Sequence, residues 1–337
     1  MWYRCRLAWL LYRIHSTITT RIDNRYKHVN FQQLRIISET IRQNYNLTEV
    51  ANALFTSQSG VSKHIKDLED ELNVDLFIRK GKRLTGLTAP GKELAKIVDR
   101  ILLDTRNIKR LAEQFSQHDQ GELTVATTHT QAQYALPDVV GQFKKIFPKV
   151  HLVLHESSPG EIVSMLLNDQ ADIGIATEAL ESTSELVSFP YYTWHHAVIV
   201  PAGHPLQSVH PLTLEAVAQF PIITYHKGFT GRSRIDQAFS RAGLIPNIAM
   251  SALDADVIKT YVALGMGIGI VASVAFTPER DTKLIKLDGS HLFEQNTTCI
   301  SIRRNHYLRG YAYQFIELCI PSLNRDTICS EIQQNGY

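Results

Sequence analysis

The chain has 337 residues, of which 44% are hydrophobic and 20% charged, and its formal net charge is +2. This length and composition predict a globular protein of two or three domains. Residues 1–29 carry a net charge of +5, so the remainder carries −3. A net charge of −3 excludes a general electrostatic attraction between residues 30–337 and phosphate. Any affinity of these residues for nucleic acid must therefore come from a local basic patch.

Residues 1–28 differ in character from the rest of the chain. Their only apolar run, Leu7 to Leu11, is followed by Arg13 and is too short for a signal segment or a membrane span. We interpret these residues as a poorly ordered extension that precedes the true start of the protein near Val29. A basic helix that lies on a membrane surface is the alternative.

The four cysteines show neither CxxC spacing nor clustering with histidine. This pattern favours reduced thiols over disulfides or metal ligands. We therefore expect a cytoplasmic protein without a metal, a cofactor or a membrane partner.

The stretch from Leu47 to Gly91 predicts a winged helix-turn-helix, preceded by a first helix at Phe31 to Gln43. A short amphipathic helix ends at Phe55, and a second helix starts with Thr56 or Ser57 as its cap. The apolar positions of the second helix recur at spacings of four, three and four, which predicts one buried stripe: Val61, Ile65, Leu68 and Leu72. The opposite face is expected to enter the major groove. Its predicted DNA contacts are Thr56, Ser57, Gln58, Ser59, Ser62, Lys63 and Lys66.

A short hairpin is predicted after the second helix, with Gly81 supplying the tight turn. Four basic residues lie within five positions at its tip and are expected to hold the DNA backbone: Arg79, Lys80, Lys82 and Arg83. A solvated loop is the alternative interpretation of this charge run.

A long helix is predicted from Pro90 to Phe115. Its apolar positions follow steps of four and three over three heptads: Leu94, Val98, Ile101, Thr105, Ile108, Ala112 and Phe115. Such a pattern favours pairing with the same helix of a second chain, because a two-fold operator needs a two-fold partner. Packing of a single helix on its own domain is the alternative.

After the polar linker Ser116 to Gly121, short β-branched runs alternate with helical stretches. This alternation predicts two small α/β lobes with a mainly parallel sheet and a cleft between them. The strand candidates are Leu123–Val125, Val150–Leu154, Ile173–Ala176, Ala197–Val200 and Ile222–Thr224. A helix at Tyr307 to Cys319 and a polar tail are expected at the end.

Two polar segments follow strand candidates, Thr127–Gln131 and Tyr225–Ser233. Both bring hydroxyls and free amides to a helix start, which favours a small anion or carboxylate. Thr177 is expected to form a third wall, and Arg232 is a partner that the site does not require. The alternative is that these threonines only cap helices.

Long stretches of the chain resemble the LysR-type transcriptional regulators, and residues 30 to about 320 follow that family's plan. The run TSQSGVSKHIKDLEDEL carries the first resemblance, and ATTHTQAQYALP, ADIGIATEAL and DADVIKTYVALGMGIGIV resemble its CysB/Cbl subgroup, closest to the Cbl type. The resemblance implies an α/β chain with a winged helix-turn-helix, a long linker helix and a two-lobed, Rossmann-like effector domain of the periplasmic-binding-protein type 2 kind. The expected domains are 1–28 (extension), 29–88 (DNA binding), 89–120 (linker helix and hinge), 121–322 (effector binding) and 323–337 (tail).

The resemblance also implies an activator of sulfur assimilation or of sulfonate-sulfur use. Its partners would be promoter DNA, a sulfate-like anion, acetylserine or adenosine phosphosulfate as effector, and RNA polymerase, and it would form a homodimer or homotetramer. Carried over by motif, and joined by Gly231 and Arg232 from the polar segment above, the effector site is Thr128, Thr130, Gln131, Thr177, Trp194, Thr230, Gly231 and Arg232. Asn73 stands where the subgroup has glycine, and Gln133 replaces an arginine, which puts the anion's identity in doubt.

The sequence can be compared with three other functions. A regulator that responds to another anion or to an amino acid fits the same domains. An enzyme is not expected, because no HExxH or GxSxG is present and Gly265, Gly267 and Gly269 follow a helix, the reverse of a dinucleotide-binding turn. A solute-binding protein of the transport kind would need export and has no use for a DNA-binding module.

Overall fold

The computed structural model describes residues 29–116, 119–177 and 179–333. The predicted extension, 1–28, and the last part of the predicted tail, 334–337, lie outside the described residues. The chain divides into two compact units between Arg106 and Asn107, which we call the N-terminal and C-terminal units. Among the described helices, none combines the length and the apolar character that a membrane span requires.

The N-terminal unit is the predicted winged helix-turn-helix. Its elements are α1 (Phe31–Arg42), α2 (Leu47–Ala53), α3 (Gln58–Leu72), β1 (Phe77–Lys80) and β2 (Arg83–Leu87), with β1 and β2 antiparallel. Ser57 caps α3 by accepting a hydrogen bond from the Gly60 amide at 3.1 Å. Asn73 ends α3 at φ +52°, and asparagine tolerates this left-handed conformation better than most residues. The backbone geometry therefore accounts for an asparagine at a position where the subgroup has glycine.

The buried stripe of α3 is confirmed at three of its four positions. Val61, Ile65 and Leu68 are buried in the core of the N-terminal unit, whereas Leu72 is 37% exposed. Leu72 is the last residue of the helix, where the chain turns away at Asn73, so the stripe prediction was wrong at that end.

The long helix α4 (Ala89–Ser116) is confirmed, and its apolar positions have two different environments. Val98 is only 2% exposed and packs in the core of the N-terminal unit. Farther along, Ile108 is 67% exposed and Phe115 83%. The first part of the predicted heptad pattern therefore packs on its own unit, and the second part leaves an apolar face open.

The remaining elements all belong to the C-terminal unit. In chain order they are β3 (Gly121–Thr127), α5 (Pro137–Ile146), β4 (Val150–Glu156), α6 (Pro159–Leu167), β5 (Ile173–Ala176), β6 (Leu186–Trp194), β7 (His196–Pro201), α7 (Leu214–Ala218), β8 (Ile222–Tyr225), α8 (Arg232–Arg241), β9 (Ile248–Ala252), α9 (Ala255–Ala263), β10 (Ile268–Ala272), β11 (Leu284–Leu287), β12 (Asn296–Arg303), α10 (Gly310–Cys319) and α11 (Arg325–Gln333). A π-helical turn, Gln131–Ala135, precedes α5. Gly265 and Gly267 lie between α9 and β10, and Gly269 is the second residue of β10, so these glycines follow a helix and lead into a strand.

Two five-stranded sheets build two lobes. Lobe 1 has the order β4-β3-β5-β12-β6, and lobe 2 has the order β11-β7-β10-β8-β9. The prediction of a mainly parallel sheet was wrong, because β12 pairs antiparallel with β5 and β6, and β7 pairs antiparallel with β10 and β11. The physical reason is that the chain passes between the lobes twice, from β6 into β7 and from β11 back into β12.

The prediction of a polar tail at 323–337 is corrected for the residues up to 333, which the structure describes. Helix α11 buries Ile328 and Ile332 in the core of lobe 1. Two apolar residues four positions apart lie on one helix face, which is enough to attach a short polar helix to a core. Lobe 1 therefore continues to Gln333.

Candidate nucleic-acid interface and ligand cleft

The outward face of α3 carries the polar groups that the sequence predicts for base contacts. Gln58, Ser59, Lys63 and Lys66 are exposed and Ser62 is half-buried. Thr56 is also exposed, just before the helix. Ser57 is exposed too, but its hydroxyl already caps the helix, so its first role is structural.

The four predicted cations of the hairpin differ in their surroundings. Lys80, Lys82 and Arg83 are exposed around the turn at Gly81. Arg79 instead pairs with the carboxylate of Glu69, which is 6% exposed. Its charge is therefore largely compensated within the protein, and the three other cations are the better candidates for phosphate contacts.

The predicted effector residues follow the carboxyl ends of parallel strands, where ligands of open α/β sheets bind. Thr128 follows β3 and Thr177 follows β5 in lobe 1, while Thr230 and Gly231 lie between β8 and α8 in lobe 2. Trp194 ends β6, at the first passage between the lobes. Gly231 of lobe 2 lies against the side chains of His196 and Asn296, so this segment meets lobe 1 at the start of β12.

Thr298, at the start of β12, connects the lobe 1 members of this set. Its hydroxyl oxygen lies 3.1 Å from Trp194 Nε1, 3.3 Å from Gln131 Nε2 and 3.3 Å from Thr177 Oγ1. Tyr192 donates a 2.6 Å hydrogen bond to Gln131 Oε1. Burial raises the pKa of Tyr192, so the phenol keeps its proton.

The lobe 2 side of the cleft is held by a histidine. His196 Nε2 donates to the carbonyl oxygen of Thr230 at 3.2 Å, and Asn296 lies 3.4 Å from His196 Nδ1. Burial lowers the pKa of His196 to about 4, so the ring is neutral at physiological pH. Thr230 and Gly231 have φ of +41° and +68°. A Cβ on Gly231 would come within 2.5 Å of Asn296 Oδ1, so only glycine fits there.

A buried polar atom of the cleft, Asn296 Oδ1, has no hydrogen-bond partner within the described residues, on a side chain that is 1% exposed. Thr130, also 1% exposed, interacts with Tyr225 of lobe 2, which places it at the surface between the lobes. Buried polar atoms in native proteins are normally hydrogen-bonded, so the Asn296 amide is the group here that a bound ligand or water would satisfy.

Arg232, predicted as a partner of the effector, makes its contacts within lobe 2. Its guanidinium donates to the Tyr225 carbonyl, pairs with Asp236 and approaches Ser251 Oγ, all in lobe 2. The charge therefore fastens α8 to β8 and β9, and a direct contact with an effector stays a prediction.

Sequence reasoning missed four cleft residues: Tyr192, His196, Asn296 and Thr298. His196 and Asn296 begin strands at the two passages between the lobes, and Tyr192 and Thr298 each lie two residues inside a strand end. The polar run Asn296 to Thr298 was the available signal, but its strand was not predicted because polar residues precede its apolar part.

Charged side chains join the lobes at the rim of the cleft. From lobe 1, His129 lies 2.8 Å from Glu156 and 3.3 Å from Asp256 of lobe 2, and Tyr134 donates to Asp256 at 2.6 Å. Lys259 Nζ lies 2.9 Å from the Tyr134 hydroxyl. Ligand atoms of His129, Asp254 and Asp256 come within 4.8 Å of one another, a spacing that suits a cation, but His129 and Asp256 already have protein partners.

A pH-dependent stability of this rim is expected. Burial by itself would lower the pKa of His129, but hydrogen bonds to Glu156 and Asp256 outweigh it and raise the pKa above 6.5. A raised pKa in the folded state means that the protonated ring stabilises the fold below pH 6.5, and that this contribution is lost as the pH rises through the higher folded value. The melting temperature of wild type minus that of His129→Gln should therefore fall as the pH rises above 6.5.

The matched control is His151→Gln, an exposed histidine on β4 of the same lobe. The melting temperature of His151→Gln should stay close to that of wild type, because the side chain is exposed. If the melting-temperature difference between wild type and His129→Gln does not depend on pH, protonation of His129 does not stabilise the contacts between the lobes.

The comparisons with known proteins place the chain in a family. Residues 31–92 match the bacterial regulatory helix-turn-helix protein of the lysR family, and residues 116–323 match the LysR substrate binding domain. The chain belongs to the LysR family of transcriptional regulators. As a LysR-family regulator it binds DNA through the helix-turn-helix, takes a small-molecule effector in the two-lobed domain and forms oligomers.

Three curated relatives cover nearly the whole chain. The transcriptional regulator SsuR of Burkholderia cenocepacia is 58% identical over 306 residues, which are 91% of this chain and 99% of SsuR. Cbl of Escherichia coli is 52% identical, covering 91% of this chain and 98% of Cbl. CysB of Burkholderia cenocepacia is 51% identical, covering 89% and 96%.

A solved structure agrees with the two-lobed fold. The cofactor-binding domain of the Cbl transcriptional regulator matches with a TM-score of 0.62 at 49% sequence identity, covering 64% of this chain and 94% of that one. The two-lobed effector domain predicted for this LysR-family regulator is thereby confirmed.

Proposed function

We propose that this LysR-family regulator activates genes of sulfur assimilation or sulfonate-sulfur use in the cytoplasm, under control of a small sulfur-related anion bound between its lobes. The resemblance to the CysB/Cbl subgroup and the similarity to SsuR, Cbl and CysB support the pathway. The observation that carries the effector class is the polar cluster in which Gln131, Thr177 and Trp194 meet at Thr298, because a cluster of hydroxyl and amide groups suits an anion.

The oligomer in this proposal is built on α4. Its exposed apolar residues recur at intervals of seven: Ile101 at 38%, Ile108 at 67% and Phe115 at 83% exposure. A second copy of the helix would cover that face and set the distance between two recognition helices. A homodimer, or a tetramer made of two such dimers, is therefore the proposed DNA-binding form, and contact with RNA polymerase is the proposed route to activation.

The roles of the DNA-binding residues can be separated by two variants. Lys63→Ala, on the exposed face of α3, should cost about 1–3 kcal/mol on the specific operator and relax its specificity. Arg83→Ala, at the hairpin, should weaken binding to all sequences alike and reduce the salt dependence by about one unit of slope. Fluorescence anisotropy on operator and random DNA across a salt series measures both effects.

Lys149→Ala, an exposed cation of the C-terminal unit, is the control and should leave both DNAs unaffected. Identical losses for Lys63→Ala and Arg83→Ala on both DNAs would refute the division into base and phosphate contacts. Sulfur-pathway control is tested separately, by sequencing the genomic DNA bound to the protein with and without sulfate in the medium.

A further inference from the structure

The last turns of α4 are attached to lobe 1 by polar contacts. From Asn107 onward the helix belongs to the C-terminal unit, and Asn107, Arg110 and Gln114 share one of its faces, because they lie three and four residues apart. Asn107 Nδ2 donates to the carbonyl oxygen of Asn305 at 2.7 Å, and the Gly310 amide donates to Gln114 Oε1 at 2.7 Å. We call this contact of α4 with the chain that follows β12 the joint.

Within the joint, Arg110 connects α4 to three strands of lobe 1. Its guanidinium lies 3.7 Å from a carboxylate oxygen of Asp172, which immediately precedes β5, and 3.2 Å from Nδ1 of His306, which follows β12. Asp172 in turn accepts a 3.0 Å hydrogen bond from the Thr124 amide of β3. One side chain of α4 therefore contacts β3, β5 and β12, either through Asp172 or through the residues that follow the strand.

The opposite ends of the same three strands lie at the cleft. Thr128 follows β3, Thr177 follows β5, and Asn296 and Thr298 lie at the start of β12. Because β12 runs antiparallel to β5, its start lies at the same edge of the sheet as the end of β5. From Thr298 to Arg303, the last residue of β12, the strand spans about 17 Å, at roughly 3.4 Å per residue. A displacement at the cleft can thus reach the joint along hydrogen-bonded strands.

The charges of the joint lie in a polar pocket that has room for water. The side chains of Asp169 and His306 are 5% and 0% exposed, and Arg303 pairs with Asp169 at 3.0 Å. A cavity of about 260 Å³ lies beside them, with Arg110 and Asp172 among its lining residues. Hydrogen bonds and ion pairs beside water can exchange partners at a lower cost than close-packed apolar side chains can move. The joint is therefore a contact that can take a second arrangement.

A second face of the same helical turns, about 100° around the helix, is apolar. Ile108, Leu111 and Phe115 follow the joint residues by one position each and are 67%, 43% and 83% exposed. A shift of α4 in the joint moves this apolar face by the same amount, because both faces belong to one helix. In the proposed dimer a second copy of α4 packs on the apolar face, so the joint sets how the two DNA-binding units are placed.

We infer that the joint transmits a change in the cleft to α4, and that Arg110 is the positioning residue on which this transmission depends. The inference rests on the proposed function for the role of α4 in the DNA-binding dimer, but it does not depend on the chemical identity of the effector. Arg110 contacts no effector in this mechanism, and it keeps the polar face of α4 in register with the three strands. Without its guanidinium, the strands can shift at the cleft while α4 stays in place.

The test is a double-mutant cycle on the affinity of the full chain for an operator found by the genomic sequencing, measured by fluorescence anisotropy. Gly231→Ala changes the cleft without a ligand, because its Cβ would come within 2.5 Å of Asn296 Oδ1. It should change operator affinity at least about 5-fold, the lower end of ordinary allosteric coupling. In an Arg110→Met background it should change the affinity less than about 2-fold, since methionine keeps a long aliphatic side chain but donates no hydrogen bond.

Lys109→Met is the matched control, since it makes the same substitution at the neighbouring, exposed position of α4. Gly231→Ala should keep its full effect in that background. Thr298→Val replaces Gly231→Ala if the latter does not fold, and Asn107→Ala, which removes hydrogen bonds of the joint one turn away, replaces Arg110→Met on the same ground. Melting temperatures identify a purely structural role. If Arg110→Met lowers the melting temperature while the effect of Gly231→Ala persists, Arg110 only stabilises lobe 1.

Two results overturn the inference. One is an equal effect of the cleft variant in the wild-type and Arg110→Met backgrounds, which means that the change travels by another route. The other is the absence of any effect of both Gly231→Ala and Thr298→Val on operator affinity, which means that the cleft is not coupled to DNA binding in this way. Neither result bears on the sulfur pathway. Genomic binding that does not respond to sulfate refutes the sulfur pathway and leaves the cycle to decide on the joint.

Discussion

Glu69→Leu is expected to destabilise the N-terminal unit by about 3–5 kcal/mol, a large part of the stability of a small domain. The Glu69 side chain is 6% exposed and accepts hydrogen bonds from the amides of Leu76, at 2.9 Å, and Phe77, at 3.1 Å, besides pairing with Arg79. Leucine would leave two buried N–H groups without a partner at the point where the hairpin joins α3. Hydrogen exchange of the β1 and β2 amides measures the loss, and operator binding should fall with it.

Two further variants identify which contact matters. Arg79→Ala removes only the ion pair, whose arginine is 40% exposed, and should cost about 1 kcal/mol or less. Because Arg79 is already paired, its removal should also weaken DNA binding less than Arg83→Ala does. Glu71→Leu, at an exposed position of the same helix, is the control. Unchanged exchange in Glu69→Leu would show that the hairpin is held by other contacts.

Lys259→Met is expected to destabilise the C-terminal unit by about 3–5 kcal/mol, because it leaves a buried carboxylate without its cation. Lys259 is 6% exposed and lies 3.1 Å from Asp281, whose side chain is 9% exposed. The ammonium also donates to the Ala275 carbonyl and to Tyr134 of lobe 1, both at 2.9 Å. Effector affinity should fall as well, since one link between the lobes is lost.

The double variant Lys259→Met with Asp281→Leu should recover much of that stability, because a buried ion pair can often be replaced by apolar side chains at little cost. Lys283→Met, at an exposed lysine of lobe 2, is the control and should lie within about 0.5 kcal/mol of wild type. Urea unfolding with a probe in lobe 2 reports all three. If the double variant is as unstable as Lys259→Met, the loss of stability comes from packing around the aliphatic part of the lysine side chain and not from the unpaired carboxylate.

The sequence by itself determined the elements whose pattern is local. The helix-turn-helix, the turn at Gly81 and the long helix α4 each follow from spacings within a few residues, and all three are present in the structure. The strand-end threonines Thr128 and Thr177 could be located for the same reason, because a β-branched run followed by polar residues marks the end of a buried strand.

Only the tertiary structure decided which residues meet in the cleft and how the sheets are built. Thr298 meets Gln131 and Trp194 because β12 pairs with strands more than 100 residues earlier in the chain, and no local spacing encodes that pairing. The same long-range pairing makes the sheets mixed. Packing likewise decided that α11 belongs to lobe 1 and that the charge of Arg232 is used within lobe 2. The sequence supplied the polar side chains of the cleft, and their meeting around Thr298 is a property of the folded chain.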